Sequence, residues 1–207
     1  MMYQAIVFHG ISSCVAHFNV LYICKQTIVM LLTENDYHIV TAKVWWLEMH
    51  NDPTFALPPK PEITFSLLEK PVDTNLYRDL YKAVGLSWNW LDRLAIDDEA
   101  LSKKINASNI DIYVLKINGA DAGYAEFAIE KDYTEIVYFG LMPGFTGKGY
   151  GKFFLQWVVN KAWSYKPAWI QLNTCSLDHP NALNVHQSTG FQIVNNTTEE
   201  RKFLNAR

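Results

Sequence analysis

Four glycines fall within eight residues of this 207-residue chain, in the segment Pro143-Gly-Phe-Thr-Gly-Lys-Gly-Tyr-Gly-Lys152. Residues 135–141, ahead of the segment, are typical of a strand, and apolar residues recur at helical spacing within 149–165. Glycine lets the backbone approach a ligand closely, and the free N–H groups at a helix N-terminus favour phosphate oxygens. The segment therefore predicts an anion-binding loop between a strand and a helix, with pyrophosphate as its natural ligand.

The spacing of these glycines excludes two common phosphate-binding loops. A P-loop has the pattern Gly-x4-Gly-Lys-Ser/Thr, but Phe153 follows Gly151 and Lys152 here. A dinucleotide-binding loop has the pattern Gly-x-Gly-x-x-Gly, but Lys152 stands where its third glycine belongs. Coenzyme A, which also carries a pyrophosphate, is then the leading candidate.

The rest of the chain alternates between strand and helix patterns without internal repeats. Further strands are predicted at 38–49, 63–68, 110–117, 123–129, 168–173 and from Phe191 onward. Further helices are predicted at 75–84, after an N-cap at Asp97, and at 180–188, where Asp178 is a candidate N-cap and Pro180 lies in the first turn. These elements predict an α/β fold.

Composition limits the partners and the compartment. Acidic residues outnumber basic ones, with a formal net charge of -3 and a pI of about 6.1, so no basic surface for nucleic acid is predicted. Cys14, Cys24 and Cys175 match no metal-binding or disulfide spacing. Such cysteines are typical of a reducing compartment, so we expect a cytoplasmic protein.

The first thirty or so residues are apolar, but polar residues such as His9, His17 and Lys25 interrupt them. They contain no uninterrupted apolar run of about 18 residues that could span a bilayer, and no basic region precedes the apolar stretch. We therefore expect residues 1–35 to be an N-terminal extension rather than a membrane anchor. Translation from Met30 is an alternative, because a polar stretch and the first convincing strand follow it.

Two stretches resemble the signatures of the GNAT acetyltransferases. The run from Thr146 to Gly151 matches the pattern Gln/Arg-x-x-Gly-x-Gly/Ala except at its first position, where threonine replaces a long polar side chain. The run from Ala182 to Phe191 is similar to the second stretch, Ala-x-x-x-Tyr-x-x-x-Gly-Phe. The resemblance, to a bacterial branch of unknown substrate, implies a mixed, mostly antiparallel central sheet flanked by helices. We expect this domain at 36–207, with its core at about 75–195.

The resemblance implies that acetyl-CoA is a cosubstrate whose acetyl group passes to a primary amine by direct attack. The pantetheine arm is expected to bond to the backbone at 139–141, with Gly140 at a bulge. The implied cofactor-binding residues are Phe139, Leu141, Thr146, Gly147, Lys148, Gly149, Tyr150, Gly151 and Lys152. No metal site is expected, because Cys175, His179 and His186 lack a fourth ligand and the spacing of a zinc site.

Glu135 is the candidate general base, because the run 134–137 resembles the histone-acetyltransferase branch, with its glutamate at the same distance from the glycine loop. A water is expected to relay the proton. Glu126 on the preceding strand is the reserve candidate, and a solvent-facing Glu135 without a catalytic role is the alternative. Strand alternation divides 135–140 into two faces, with Glu135, Val137 and Phe139 opposite Ile136, Tyr138 and Gly140.

His186 is the candidate acid that protonates the departing thiolate, since it occupies the position of the family's tyrosine, four residues before Gly190. An imidazole with an unperturbed pKa of about 6.5 is roughly a quarter protonated at pH 7, so activity is expected to fall at high pH. If His186 is only a half-exposed helix residue, Tyr138 or Tyr150 is the alternative acid.

Trp88 and Trp90 lie where the family builds its acceptor pocket, and their rings suit an amine through cation–π contact, although core packing explains them equally well. The implied function is N-acetylation of a small-molecule or peptide amine, with a homodimer as one assembly state and without a membrane or nucleic-acid partner. The alternative is a degenerate acyl-CoA-binding regulatory module without turnover, suggested by Thr146 and His186 together.

Overall fold

The computed structural model describes residues 37–205. Within this range the strands are β1 (Tyr37–Met49), β2 (Ile63–Leu67), β3 (Ile110–Ile117), β4 (Ala120–Ile129), β5 (Tyr133–Leu141), β6 (Trp169–Cys175) and β7 (Gln192–Leu204). They form one sheet in the order β2-β3-β4-β5-β6-β1-β7, antiparallel except for the parallel pair β5 and β6. The predicted mixed, mostly antiparallel sheet is confirmed. The predicted extension at 1–35 lies outside the described residues.

The α-helices of the described range are α1 (Thr74–Gly85), α2 (Asp98–Ile105), α3 (Tyr150–Ser164) and α4 (Ala182–Thr189), and Leu86–Trp88 and Pro143–Phe145 form short 3-10 helices. Asp73 caps α1 by accepting hydrogen bonds from the N–H groups of Asn75 and Leu76 at 2.9 Å each. Asp97 caps α2, as expected, by accepting from the N–H of Ala100 at 2.8 Å. None of the helices in 37–205 is long and apolar enough to cross a membrane.

Each face of the sheet carries its own hydrophobic cluster. One cluster, under α3, includes the fully buried side chains of Phe127, Phe154 and Val158. The other, under α1 and α2, includes the fully buried rings of Tyr77 and Tyr81. Strand side chains point alternately to the two faces, so the same strands supply both clusters.

β1 lies inside the sheet, although it precedes the expected core at 75–195. Met49 at its end pairs with Ile170 of β6, and Tyr37 at its start pairs with Leu204 of β7. Its residues Ala42 and Val44 have no exposed surface. β1 therefore joins β7 to the rest of the sheet.

A β-bulge at Val137 changes the predicted faces of β5. Glu126 of β4 lies opposite Tyr138, but the next residue, Phe127, lies opposite Ile136, so Val137 is the extra residue. Ile136 packs in the cluster under α3, and Tyr138 packs against the cluster under α1. The sequence-based assignment of these two residues to one face was therefore wrong.

The expected bulge at Gly140 is also wrong, because Gly140 pairs regularly with Tyr124. Its role is close packing, since a Cβ at this position would lie 2.5 Å from Cγ1 of Val84 in α1. Real side chains do not approach so closely, so a larger residue would force α1 away from β5.

Candidate active site

A cleft opens where β5 and β6 separate. The two strands pair only from Tyr133 with Trp169 to Ile136 with Leu172. Beyond that point, no strand of the described chain pairs with this edge of β5, so its N–H and C=O groups are available to a ligand. The cleft has a volume of about 630 Å³ and is lined from β5 and β6 to the first turns of α3.

The glycine loop leads into the N-terminus of α3 at this cleft. Gly147 and Gly149 have φ angles of 72° and 81°, which glycine adopts without strain. Gly149 precedes the helix and offers no capping side chain, so the first N–H groups of α3 are free to bind an anion. A Cβ at either glycine would meet no atom within 4 Å, which leaves room for a ligand.

Six of the nine residues predicted to bind the cofactor line the cleft: Phe139, Leu141, Thr146, Gly147, Gly151 and Lys152. The other three, Lys148, Gly149 and Tyr150, lie outside its lining. The hydroxyl of Thr146 donates to the C=O of Pro143 at 2.9 Å, so it stabilises the turn and offers no hydrogen to the cleft. Nζ of Lys148 lies 5.8 Å from the ring centroid of Phe145.

One part of the cleft wall comes from the connection between β1 and β2. Phe55 lines the cleft, and Asn160 of α3 holds the Phe55 backbone. Oδ1 of Asn160 accepts from the N–H of Phe55 at 2.9 Å, and Nδ2 donates to its C=O at 2.8 Å. Phe55 also packs against the cluster under α3, so this part of the cleft is apolar, whereas Lys152 adds positive charge beside the glycine loop.

A second cavity of about 230 Å³ adjoins the cleft. The two share six lining residues: Trp88, Trp90, Val137, Tyr138, Asn173 and Asp178. Val137 is the bulged residue, so the cavities meet where β5 departs from regular pairing. Trp88 and Trp90, which were predicted to contact the acceptor, lie at this junction.

Two contacts shape the loop that carries these tryptophans. A Cβ at Gly85 would lie 2.2 Å from Cε3 of Trp90, so only glycine lets the indole pack there. Asn89 has a φ of 57°, and its Oδ1 accepts from the N–H of Leu204 at 3.0 Å. The end of β7 therefore anchors the tryptophan loop.

Asp178 fixes Trp90 at the junction. Its Oδ1 accepts from Nε1 of Trp90 at 3.1 Å, and its Oδ2 accepts from the hydroxyl of Thr174 and the N–H of Cys175 at 2.8 Å each. The predicted N-cap role of Asp178 is wrong, because α4 begins four residues later and Asn181 precedes it without a side-chain cap. Its carboxylate instead accepts hydrogen bonds from the end of β6 and from Trp90.

A buried ion pair lies beneath Tyr138. Glu126 is fully buried and accepts from Nη2 of Arg93 at 2.8 Å and from the hydroxyl of Tyr77 at 2.5 Å. The guanidinium carbon of Arg93 lies 5.4 Å from the ring centroid of Tyr138. Burial raises the pKa of Glu126, and Arg93 opposes that shift. Glu126 lines neither cavity, so its carboxylate holds Arg93 in place.

Glu135 lies opposite Ala128 on β4 and Gln171 on β6. It is half-buried, and burial raises the pKa of its carboxyl group. It lines neither cavity and lies two residues before Val137, which is about 7 Å along a strand. A proton from the junction would reach it only through a relay.

The candidate proton donors differ in their protonation. His186 lines the cleft from α4, and its Nδ1 is buried with no hydrogen-bond partner among the described residues. Burial lowers the pKa of His186 to about 4, with Asp178 opposing the shift, so the imidazole is neutral at pH 7. Tyr138 lines both cavities, and burial raises its pKa to about 12, so it keeps its proton.

Among residues 37–205, no group of three or more His, Cys, Asp or Glu side chains is arranged to hold a metal ion. Cys175 is a half-buried free thiol, and burial raises its pKa. His179 packs edge-on against Trp88, with ring centroids 5.1 Å apart.

The model of the acetyltransferase (GNAT) family matches residues 75–191, which is more than half of the chain. The chain therefore belongs to the GNAT acetyltransferase family, whose members are N-acetyltransferase enzymes, and the resemblance seen in its motifs is confirmed. No curated protein matches the chain.

Solved structures of the family have the same fold. A putative GNAT acetyltransferase from Novosphingobium aromaticivorans is 15% identical, with 85% of this chain and 71% of that chain covered and a TM-score of 0.53. A GCN5-related N-acetyltransferase from Sphaerobacter thermophilus is 14% identical, with 92% and 58% covered and a TM-score of 0.54. A GNAT family acetyltransferase from Elizabethkingia anophelis with acetyl-CoA bound is 20% identical, with 66% and 80% covered and a TM-score of 0.50.

Proposed function

We propose that this protein transfers the acetyl group of acetyl-CoA to the primary amine of a small molecule by direct attack. The observation that carries the proposal is the junction of two cavities at Tyr138, one beside a glycine-rich helix N-terminus and the other lined by aromatic and charged side chains. We refer to the first as the donor cleft and to the second as the acceptor cavity.

Acetyl-CoA fits the chemistry of the donor cleft. Its pyrophosphate suits the free N–H groups at the start of α3, beside Gly147, Gly151 and Lys152. Its pantetheine arm suits the unpaired backbone edge of β5 at Phe139 and Leu141. The acetyl-CoA bound to the Elizabethkingia anophelis relative supports the same cosubstrate for this chain.

The reaction requires a neutral amine at the junction. The amine nitrogen attacks the thioester carbonyl, the C–N bond forms, and the C–S bond breaks to release the CoA thiolate. We assign the removal of the amine proton to Glu135, acting through a water because Glu135 lines neither cavity. Its raised pKa makes it a stronger base than an exposed glutamate.

We assign Tyr138 as the acid that protonates the thiolate. With a pKa of about 4, His186 is about one-thousandth protonated at pH 7, so its cationic form is scarce. A neutral imidazole N–H can still donate a hydrogen bond to sulfur, which makes His186 the second candidate at this step. Tyr138 carries its proton up to a pH of about 12 and lines both cavities.

A regulatory module that binds acyl-CoA without turnover is the alternative function. It is favoured by Thr146, whose hydroxyl bonds to Pro143 rather than to a ligand, and by His186 in place of a tyrosine. A cytoplasmic location and a homodimer remain predictions from the sequence.

Calorimetric titration with acetyl-CoA, combined with thiol release against a panel of amines, tests the proposal. We expect acetyl-CoA to bind and thiol to be released only when an amine is present. Glu135→Gln is expected to lower kcat about 100-fold or more, in the range of general base catalysis, and to leave acetyl-CoA binding unchanged. Glu99→Gln, at an exposed position of α2, is the matched control. Acetyl-CoA binding without thiol release would favour the regulatory module.

A further inference from the structure

The acceptor cavity has an aromatic end and a charged end. The aromatic end is shared with the donor cleft and contains Trp88, Trp90 and Tyr138. At the other end, Asp92 and Arg201 line the acceptor cavity but not the cleft. An acceptor whose amine meets the thioester at the aromatic end therefore extends toward this pair of opposite charges.

Arg201 has hydrogen bonds left to make. Its Nη2 bonds to Glu199 at 2.7 Å, but Nη1 lies 3.5 Å from the Asp92 carboxylate, which is a long contact. Its Nε has no acceptor within residues 37–205 but is buried, so Nη1 is the atom with capacity for a ligand. A guanidinium carries five donors in a planar fork whose geometry matches a carboxylate.

The two charges at this end differ in solvation. The Asp92 side chain is 68% exposed, whereas the Arg201 side chain is 32% exposed. A partly desolvated cation with an unmade hydrogen bond gains more from a new partner than a well-hydrated carboxylate does. The charged end therefore favours an anionic ligand group over a second ammonium group.

The neighbouring cation Lys202 does not contribute in the same way. Arg201 and Lys202 both line the acceptor cavity, but successive side chains of a strand point to opposite faces. Nζ of Lys202 lies 4.5 Å from the ring centroid of Tyr37. Of these two cations of β7, Arg201 is the one that contacts the Asp92 carboxylate.

We propose that the acceptor is a small amino carboxylate, such as a free amino acid, with its carboxylate on Arg201 and its amine beside Trp88, Trp90 and Tyr138. This proposal rests on the acetyl transfer proposed above. The cavity volume of about 230 Å³ lies below the range of roughly 300–1,000 Å³ that holds drug-sized ligands, so it suits a small molecule. The products are an N-acetylamino carboxylate and CoA, formed by the same C–N bond formation and C–S cleavage.

Matched pairs of acceptors test the proposal: phenylalanine with phenethylamine, and alanine with ethylamine. The members of each pair differ only in the carboxylate. We expect kcat/KM for thiol release to be about tenfold to a hundredfold higher for the amino acid, the range of a hydrogen bond to a charged group. Arg201→Met is expected to remove this preference, so that within this variant kcat/KM for the amino acid equals kcat/KM for the plain amine.

Lys43→Met is the matched control, because it removes a cation of the neighbouring strand β1 that lines neither cavity. Arg201→Lys keeps the charge without the planar fork and is expected to keep part of the preference. Urea unfolding of each variant checks that the fold is intact. If Arg201→Met does not fold, Arg201→Lys gives the same test, because its preference for the amino acid over the plain amine is compared with that of the unmodified protein.

Several outcomes overturn the proposal while leaving acetyl transfer in place. These are equal turnover within each pair, a preference for a diamine such as cadaverine, and equal losses in Arg201→Met and Lys43→Met. Acetyl-CoA binding with no thiol release for any amine contradicts the proposed acetyl transfer itself, and is therefore distinguishable from a wrong acceptor class.

Discussion

The donor cleft and the acceptor cavity are neighbours, but the chain builds them differently. The backbone groups that the donor cleft offers, at a strand edge and a helix N-terminus, lie in two short runs, 136–141 and 146–152. The acceptor cavity is lined by residues from five separate parts of the chain: Tyr81, 88–92, 137–138, 173–178 and 201–202. A backbone site can therefore be read from one local pattern, whereas the side-chain site exists only after distant segments have met.

The sharpest test of the boundary between the two sites is Tyr138→Phe. Tyr138 lines both cavities, so removal of its hydroxyl is expected to lower kcat by about 100-fold to 1,000-fold while acetyl-CoA binding stays the same. Steady-state kinetics and calorimetry measure the two effects. Tyr133→Phe, which alters a tyrosine stacked on Trp169 at the start of the same strand, is the control. A larger loss in His186→Asn than in Tyr138→Phe would reverse the assignment of the acid.

Gly151→Asp is expected to disable the donor cleft alone. A carboxylate in the first turn of α3 suits the helix dipole, but it occupies the place of a phosphate. We expect acetyl-CoA binding to weaken about 100-fold, or about 2.7 kcal/mol, with little change in the free energy of unfolding. Gly144→Asp, in open space outside the cleft lining, is the matched control for calorimetry. Equal weakening by both variants would mean that general charge, rather than the helix terminus, governs binding.

Phe55→Ala separates the contribution of the apolar part of the donor cleft to cofactor binding from that of the charged part. Because Phe55 lies on the apolar wall, we expect the variant to bind acetyl-CoA and acetyl-pantetheine about tenfold more weakly, or about 1.4 kcal/mol. Binding of the nucleotide fragment 3′-phospho-ADP is expected to stay unchanged. Competition binding measures all three ligands. If the nucleotide fragment alone weakens, Phe55 contacts the other end of the cofactor.

The effect least tied to either cavity is a dependence of stability on His186 protonation. The folded-state pKa of His186, about 4, is lower than the unfolded value of about 6.5, so unfolding takes up a proton between these pH values. Its contribution to stability is complete above pH 6.5 and is lost as the pH falls toward 4. We expect the urea midpoint to fall between pH 7 and pH 5, and to fall less in His186→Asn. An equal fall of the urea midpoint in both proteins would mean that other titrating groups cause it.

The sequence predicted the order of helices and strands because the apolar spacing and the cap at Asp97 act locally. Six of the nine residues that it predicted to bind the cofactor line the donor cleft, since the glycine loop carries its own backbone geometry. It missed the bulge at Val137, which depends on the pairing between β4 and β5 and has no local signal. One extra residue reversed the inferred side-chain directions and left Glu135 outside both cavities.

Other errors have a similar physical origin. Asp178 has the sequence position of a helix cap, but its carboxylate instead accepts hydrogen bonds from Trp90, Thr174 and Cys175. Arg93, Phe55 and Arg201 were not singled out for a site role, because their contacts join segments far apart in the chain. Arg93 lies within the tryptophan-rich loop, and an arginine that is buried is almost always paired, so its position was a signal for a buried partner.

The position of β1 also affects how the chain is made. β1 is the first described strand to leave the ribosome, and its neighbours β6 and β7 are the last two strands of the described range to follow. At about 5–20 residues per second, the wait before Leu204 reaches Tyr37 is on the order of ten seconds. During that time β1 carries an apolar face and two unpaired edges, which are templates for wrong pairing. The nascent chain is therefore most vulnerable to aggregation before its C-terminal strand emerges.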